Sequence, residues 1–482
     1  MSIKGPLTRP ITRRHLLQGI GVGIGVGIGV GIGAKTIRSL LTEDSTSFPG
    51  ELLSSNAKLG HQLRDLQELR KKFKASEQFQ EIDTLIVGGG ISGLSAGWWF
   101  QRQQKKDYLI LELNNEVGGN SISGKNNMSA YPWGAHYVPL PGRDAHYVID
   151  FFKEIGVIKG FENGSPIYDE FFLCSDPHER LFFQGQWQDG LVPQYGIQSE
   201  DRQQYNEFFG MIESFKKKVG SDGLPAFNIP IAMSSKDPEI LRLDQFSMKD
   251  FMSKRGWKSR YLNWYVDYCC RDDYGVGHSR VSAWAGLHYF ASRVGVAANA
   301  DSQSVLTWPE GNGFLVKHLQ QKNQGNIRTN CLVVSIENHR SHAVVDVLDA
   351  EKNLTERVRA KHVIYSGPRY TAQRVIKDYP DDLRLNYSPW VVSNISLQQR
   401  PKSKGAPLSW DNVNFYSRSL GYIVANHQDL NYNHPEMVLT HYLPLDETDA
   451  KEQRQLASKR SHGDWLKIIV PDLEKMHPWR II

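Results

Sequence analysis

Three glycines and one glutamate carry the clearest chemistry in this sequence. Gly88, Gly90 and Gly93 fall in the spacing G-x-G-x-x-G, and Glu112 follows 24 residues after Gly88. In such a pattern the first glycine permits a tight turn, the second lets backbone approach a pyrophosphate, and the third lets a helix pack close to a strand. A carboxylate at the position of Glu112 can accept hydrogen bonds from ribose hydroxyls. These residues act only if particular elements hold them. Thr84 to Val87 is a short apolar run suited to a buried parallel strand. Ser92 opens a helical stretch that reaches about Gln104, and a second apolar run, Tyr108 to Leu111, ends on Glu112. The N-terminus of that helix offers unpaired N–H groups and a partial positive charge to phosphates. Strand, helix and acidic residue together read as a βαβ dinucleotide-binding unit, not an isolated glycine turn.

Beyond Glu112 the chain continues Glu116-Val117-Gly118-Gly119-Asn120-Ser121. Counted from Glu112 this is E-x5-G-G, and here the sequence resembles the FAD-containing amine oxidase superfamily, which also includes phytoene desaturases and protoporphyrinogen oxidases. The resemblance implies FAD in preference to NAD, with the backbone of Gly118 and Gly119 against the phosphates and flavin. Asn120 stands where the family usually has arginine, a departure from the amine oxidases proper. Within Tyr131 to Tyr137, Gly134, Ala135 and His136 sit where relatives place a turn beside the isoalloxazine ring. His136 is the titratable group expected near the flavin; a hydrogen-bonded structural histidine is the equal alternative. Trp308 to Phe314 resembles a family turn that precedes a helix, here about Leu315 to Lys322. In relatives a valine of the next strand, here Cys331 to Ile336, gives its backbone to the adenine; Val333 is the candidate and Val334 the next. Ala343 to Leu348 and Arg357 to Val363 pair plausibly as strands, and His362 to Pro368 matches the family's strand returning to the FAD domain.

The fold class implied is α/β: a Rossmann-like FAD-binding domain with an inserted α+β substrate domain. The expected FAD-binding segments are 81–145 and 301–370. Residues 146–300, helix-rich and aromatic, form the substrate or cap segment, and 371–482 hold the substrate-domain sheet and the C-terminal region. Many relatives carry a lysine on a strand like Trp390 to Gln398; here Ser393 and Asn394 occupy it, which points away from oxygen-dependent amine oxidation. The family also closes with a glycine-rich strand–turn–helix, whereas only Gly463 follows Gly421. The expectation is a shortened chain lacking part of the grip on the flavin, or a branch that completes the site by other means, including a partner chain.

Composition sets the remaining limits. The 482 residues are 40% hydrophobic and 11% aromatic, which suits two or three globular domains. Residues 1–44 hold six basic and two acidic residues, a net charge of +4, so +1 of the total +5 remains for the body. A nearly neutral body gives no reason to expect nucleic acid. Thr12-Arg13-Arg14-His15-Leu16-Leu17 resembles a twin-arginine signal, and an uncharged run follows from Leu16 to Ala34. The expectation is a signal or anchor over 1–44, recognised by the twin-arginine export machinery, with membrane association through 16–34 left open. The destination would be the periplasm or the outer face of the inner membrane. Residues 45–80 read as a linker and an amphipathic helix from Ala57 to about Ala75. Cys174, Cys269, Cys270 and Cys331 have no zinc spacing, and the adjacent pair reads as two buried thiols rather than a strained disulfide. No metal and no firm catalytic residue is expected. The function implied is an exported FAD-dependent oxidoreductase moving hydride from a C–N or C–C bond of a small-molecule substrate to flavin N5. The alternatives are a catalytically impaired nucleotide-binding protein and a flavin desaturase or isomerase acting on a lipid-like substrate.

Overall fold

The structure, a computed structural model, describes residues 48–53, 56–72, 78–380, 385–429 and 435–477. The export signal and the run Leu16 to Ala34 lie outside the described residues.

The elements that build the two large sheets and frame the site are, in chain order, β1 (Phe79–Val87), α1 (Ile91–Arg102), β2 (Tyr108–Leu111), α2 (His146–Glu154), β3 (Glu179–Phe183), β4 (Gln186–Asp189), α3 (Ser199–Lys217), α4 (Arg260–Tyr274) and α5 (Ala283–Ala291). They continue with α6 (Gly313–Lys322), β5 (Ile327–Arg328), β6 (Cys331–Asn338), β7 (Ala343–Asp349), β8 (Leu354–Tyr365), β9 (Trp390–Leu397), β10 (Asp411–Asn414), β11 (Tyr422–Val424), β12 (Met437–Pro444) and α7 (His462–Met476).

The first sheet has the order β5-β2-β1-β8-β7-β6. β1 runs parallel to both β2 and β8, and β8, β7 and β6 form an antiparallel meander. β1 starts earlier than its apolar run because Phe79 to Ile82 also pair with β8, from Arg357 to Ala360. That outer half is polar and carries the ion pairs Arg359–Glu81 at 2.7 Å and Lys361–Asp83 at 3.1 Å. One face of the sheet buries Ile86 and Ile110 under Leu94 and Trp98 of α1, with Leu315 and Leu319 of α6. Phe151 and Phe152 of α2, Val157, Ile158 and Tyr168 complete this core, so residues 146–168 pack beneath the nucleotide-binding unit. The other face buries Leu85, Leu109, Val345 and Val358 under Leu59, Leu63 and Leu69.

The stretch from Ala57 is not one helix. It divides into Ala57–Gly60, a 3-10 turn His61–Asp65, and Leu66–Lys72. Gly60 lies where a Cβ would come within 3.2 Å of the Leu113 side chain, so the chain is pressed against the loop after β2. The tighter 3-10 turn follows at that point, and Leu59, Leu63 and Leu69 all reach the core.

The second sheet has the order β9-β12-β11-β10-β3-β4. It joins strands from residues 179–189 to strands from 390–444, and the parallel β3–β10 pair links them. β12 is buried along all eight residues, because both faces of this sheet are covered. Helices α3, α4 and α5 form an aromatic-rich core on one side, and α7 covers the other with Trp465, Ile469 and Leu473 against Met437 and Leu439. Cys269 and Cys270 are buried on α4 and are not joined in a disulfide.

Candidate functional site

The glycine motif builds its crevice from backbone. Gly88 has φ +106°, and a Cβ there would meet the Ser366–Gly367 backbone at 3.1 Å. At Gly93 a Cβ would stand 1.9 Å from the Gly88 carbonyl oxygen, so only glycine lets α1 start this close to β1. Gly90 differs: it is extended, and the nearest atom to a Cβ would be Gly119 Cα at 3.9 Å. Gly118 donates its N–H to the Gly89 carbonyl at 2.9 Å, and Gly118 and Gly119 take φ of +128° and +57°. The two glycine pairs thus line a strip of bare backbone with open space above Gly90. No side chain caps α1, so its first N–H groups point at that space, and Ser92 is exposed in the first turn. The Ser366 hydroxyl, buried at the Gly88 edge, has no hydrogen-bond partner among the described residues.

Glu112 closes one end of the crevice. Its carboxylate is buried and accepts the Gly89 N–H at 2.7 Å and the Asn114 N–H at 2.8 Å. A carboxylate has about four acceptor sites, so two remain for hydroxyl groups. The Cys331 N–H donates to the Glu112 carbonyl at 2.8 Å, which sets the start of β6 against the glutamate. Val333 lies two residues along this edge strand, its side chain in the core, and the strand register shifts between Val333 and Ser335. The shift leaves Val334 as an extra residue of a bulge, a feature that re-aims backbone groups.

At the other end the double-glycine loop meets the turn around Gly134. The Ala135 N–H donates to the Asn120 carbonyl at 3.0 Å, and a Cβ on Gly134 would lie 2.4 Å from that same oxygen. The second sheet holds this turn in place. Tyr442 of β12 donates its hydroxyl to the Gly134 carbonyl at 2.8 Å, and Asn394 of β9 donates Nδ2 to the Pro132 carbonyl at 3.0 Å. Thr440 in turn donates to Asn394 Oδ1 at 2.7 Å. The ring of His136 sits among Tyr442, Tyr137 and Trp410, with centroids 4.8, 5.0 and 5.5 Å away. Burial pulls its pKa down to about 4 against the opposing hydrogen bond to Gly134, so the ring is neutral at neutral pH. Burial pushes the Tyr137 hydroxyl up to about 12, although Arg293 donates to it at 2.9 Å.

A cavity of about 2620 Å³ opens from here. Its walls include Asn120, the turn from Trp133 to Tyr137, the whole of β9, Tyr442, and the ends of α4 and α5 with Asp272, Asp273 and Arg293. The structure therefore brings Gly88, Gly90, Ser92, Gly93, Glu112, Gly118, Gly119 and Asn120 around one crevice, with Gly134, Ala135 and His136 at its cavity end and Val333 beyond Glu112. Tyr442, Trp410 and Arg293 also line or brace the site, and no local sequence pattern marks them.

Residues 86–155 match the NAD(P)-binding Rossmann-like domain family. The FAD-containing monooxygenase EthA of Mycobacterium tuberculosis is 32% identical over 95 residues, which cover 17% of this chain and 19% of that protein. The chain thus matches about a fifth of the length of its curated relatives. Among solved structures, a triple mutant of putrescine oxidase superposes with a TM-score of 0.60 at 14% identity, covering 82% of this chain and 81% of the other. Cyclohexylamine oxidase from Brevibacterium oxydans IH-35A gives 0.56 at 12% identity, with 83% and 82% covered. A fatty acid isomerase from P. acnes gives 0.53 at 16% identity, with 78% and 81% covered. The protein therefore sets a Rossmann-like nucleotide-binding unit within the fold it shares with these amine oxidases.

Proposed function

We propose that the protein is a FAD-dependent oxidoreductase that takes hydride from a C–N or C–C bond of a small-molecule substrate. One observation carries this reading: the strip of bare backbone at Gly90, Gly118 and Gly119, with an uncapped helix end and Glu112 beside it, leads through Asn120 into the large cavity. FAD bound along that strip supplies the hydride acceptor. The α1 N-terminus and the glycine backbone hold the pyrophosphate, Glu112 the ribose, and the β6 backbone at Val333 the adenine. The turn from Gly134 to His136 backs the flavin, and His136 meets it as a neutral hydrogen-bonding group. Tyr442 and Trp410 keep water from that side. Asn394 is engaged by Pro132 and Thr440, and with Ser393 it leaves β9 without an ammonium group there, which favours an acceptor other than oxygen.

The size of the cavity supports a second reading. Ordinary small-ligand sites occupy roughly 300–1,000 Å³, and 2620 Å³ leaves room for a long substrate beside the cofactor. A desaturase or isomerase acting on a lipid-like substrate fits that space.

The visible spectrum of purified protein tests both. Flavin absorption that bleaches anaerobically with an amine supports oxidation at C–N. Turnover of an unsaturated lipid without peroxide release supports the second reading. A colourless, folded protein that takes up no added FAD would sink both and leave an impaired nucleotide-binding protein. Export by the twin-arginine route belongs to the same proposal and rests on Arg13, Arg14 and the uncharged run after them.

A further inference from the structure

We infer that Thr440 is a positioning residue for the turn from Pro132 to His136: by holding one end of the Asn394 amide, it directs the other end to the Pro132 carbonyl. On the proposed cofactor path, on which this role rests, that turn backs the flavin. All eight residues of β12 are buried, yet three polar ones, Thr440, His441 and Tyr442, stand together within it. A buried polar group is costly unless it is hydrogen-bonded. Successive residues of a strand face opposite ways. His441 faces α7 and meets Asp472 Oδ2 at 3.2 Å. Thr440 and Tyr442 share the other face, and both spend their hydroxyls on holding the turn.

Asn394 is the direct cross-strand partner of Thr440 in the antiparallel β9–β12 pair. Its amide has an acceptor end and a donor end. Thr440 donates its hydroxyl to Oδ1 at 2.7 Å, and Nδ2 donates to the Pro132 carbonyl at 3.0 Å. The reverse orientation would set Oδ1 against the Pro132 oxygen, acceptor against acceptor. Ser396, two residues along the same face of β9, accepts from Asn126 Nδ2 at 2.8 Å. Tyr442 adds its bond to the Gly134 carbonyl at 2.8 Å. The second sheet thus grips residues 126–134 at three points.

Backbone around the double-glycine loop holds the same turn from the other side. The Trp133 N–H donates to the Ile122 carbonyl at 3.1 Å and the Ala135 N–H to the Asn120 carbonyl at 3.0 Å. Trp133 to Tyr137 wall the cavity, and so do Asn394 and Tyr442. Thr440 is fully buried behind them, and its hydroxyl reaches the turn through Asn394. It therefore contacts neither cofactor nor substrate and acts by placing a group that lines the cavity. Removing its hydroxyl alone leaves Asn394 Oδ1 without that donor, lets the amide turn, and loosens the Pro132 carbonyl beside Trp133. Both ends of the Asn394 amide are spent on the protein, so this face of β9 directs its donor at a backbone carbonyl instead of at a ligand.

The test uses the full chain, as apoprotein and after addition of FAD. Thr440→Val keeps the shape of the side chain and removes the hydroxyl, whereas Thr440→Ser keeps the hydroxyl. In the apoprotein, amide exchange followed by mass spectrometry should be faster across residues 131–137 in Thr440→Val by about threefold or more, unchanged in β8, and restored to the wild-type rate by Thr440→Ser. With FAD bound, the visible absorption band should shift in Thr440→Val and return in Thr440→Ser. Unchanged exchange at 131–137, an equal rise in β8, no rescue by serine, or a bound flavin whose band does not move would each overturn the proposal. A wild type that takes up no FAD would end the cofactor reading instead, and apoprotein exchange would then decide the role of Thr440 by itself.

Discussion

Gly90 and Gly93 belong to one motif but must be glycine for different reasons. At Gly93 a side chain would strike the Gly88 carbonyl, so Gly93→Val should destabilise the fold by at least about 1–3 kcal/mol, read as a lower thermal midpoint of the apoprotein. At Gly90 the nearest non-neighbouring atom to a Cβ would be Gly119 Cα at 3.9 Å, so Gly90→Val should leave the apoprotein as stable as wild type yet abolish flavin retention, read by absorbance after gel filtration. An equal loss of stability in the two variants would contradict the assigned cofactor path. His136 gives a pH prediction. Its folded pKa, about 4, lies below the ordinary 6.5, so folding favours the neutral ring. Its contribution is complete above about pH 6.5 and is lost as pH falls toward 4. His136→Gln should flatten the fall in thermal midpoint across that window. At this scale the tight turns of the glycines and the placement of Glu112 beside them were legible, because they depend on local backbone geometry and fixed spacing. Tyr442 and Trp410 were not, because they reach the Gly134–His136 turn only through tertiary folding.

Elements were legible where burial is uniform along a strand. Tyr108–Leu111 matches its apolar run to the residue, and the meander strands from Cys331 to Tyr365 differ from expectation only at their ends. The Ala57–Lys72 stretch divides at Gly60, where the chain lies against Leu113, while its leucines still reach the core. Asp267, midway along α4, ties the chain that follows the helix back onto it: it meets His278 Nδ1 at 2.7 Å and Arg271 Nε at 3.2 Å. Burial opposes ionisation there, but the hydrogen bond from His278 and the Arg271 charge hold the pKa at about 2. That stabilisation is present above about pH 4 and is lost as pH falls through about 2. Asp267→Asn should therefore be less stable at neutral pH and show a shallower acid transition, followed by circular dichroism. Ser419, His441 and Asp472 have the residue types of a hydrolytic triad but not its geometry. Ser419 donates to Asp472 Oδ2 at 2.6 Å and His441 approaches the same oxygen at 3.2 Å, so both serve the carboxylate and tie α7 to β12. Leu473→Ala, on the buried face of α7, should cost about 2–5 kcal/mol in denaturant unfolding.

At the scale of the whole molecule, sequence suggested two segments of a substrate region but not that they share a sheet. The parallel pairing of β3 with β10 depends on contacts between residues some 230 positions apart, and local patterns carry no information about such pairing. The proposed export would be a property of the whole chain too. Arg13→Lys with Arg14→Lys should keep the protein in the cytoplasm, as read by fractionation; an unchanged distribution would remove the export proposal. The placement of β1 beside β8 also sets a timetable. Glu81 meets Arg359 across 278 positions, so the nucleotide-binding sheet cannot close until β8 has left the ribosome. At about 5–20 residues per second, the first glycine motif waits roughly 14–56 s with one edge of its strand unpaired. Throughout that interval the crevice assigned to the proposed cofactor does not yet exist. If the proposed export route takes only finished, cofactor-loaded protein, it must be held off for most of the chain's synthesis.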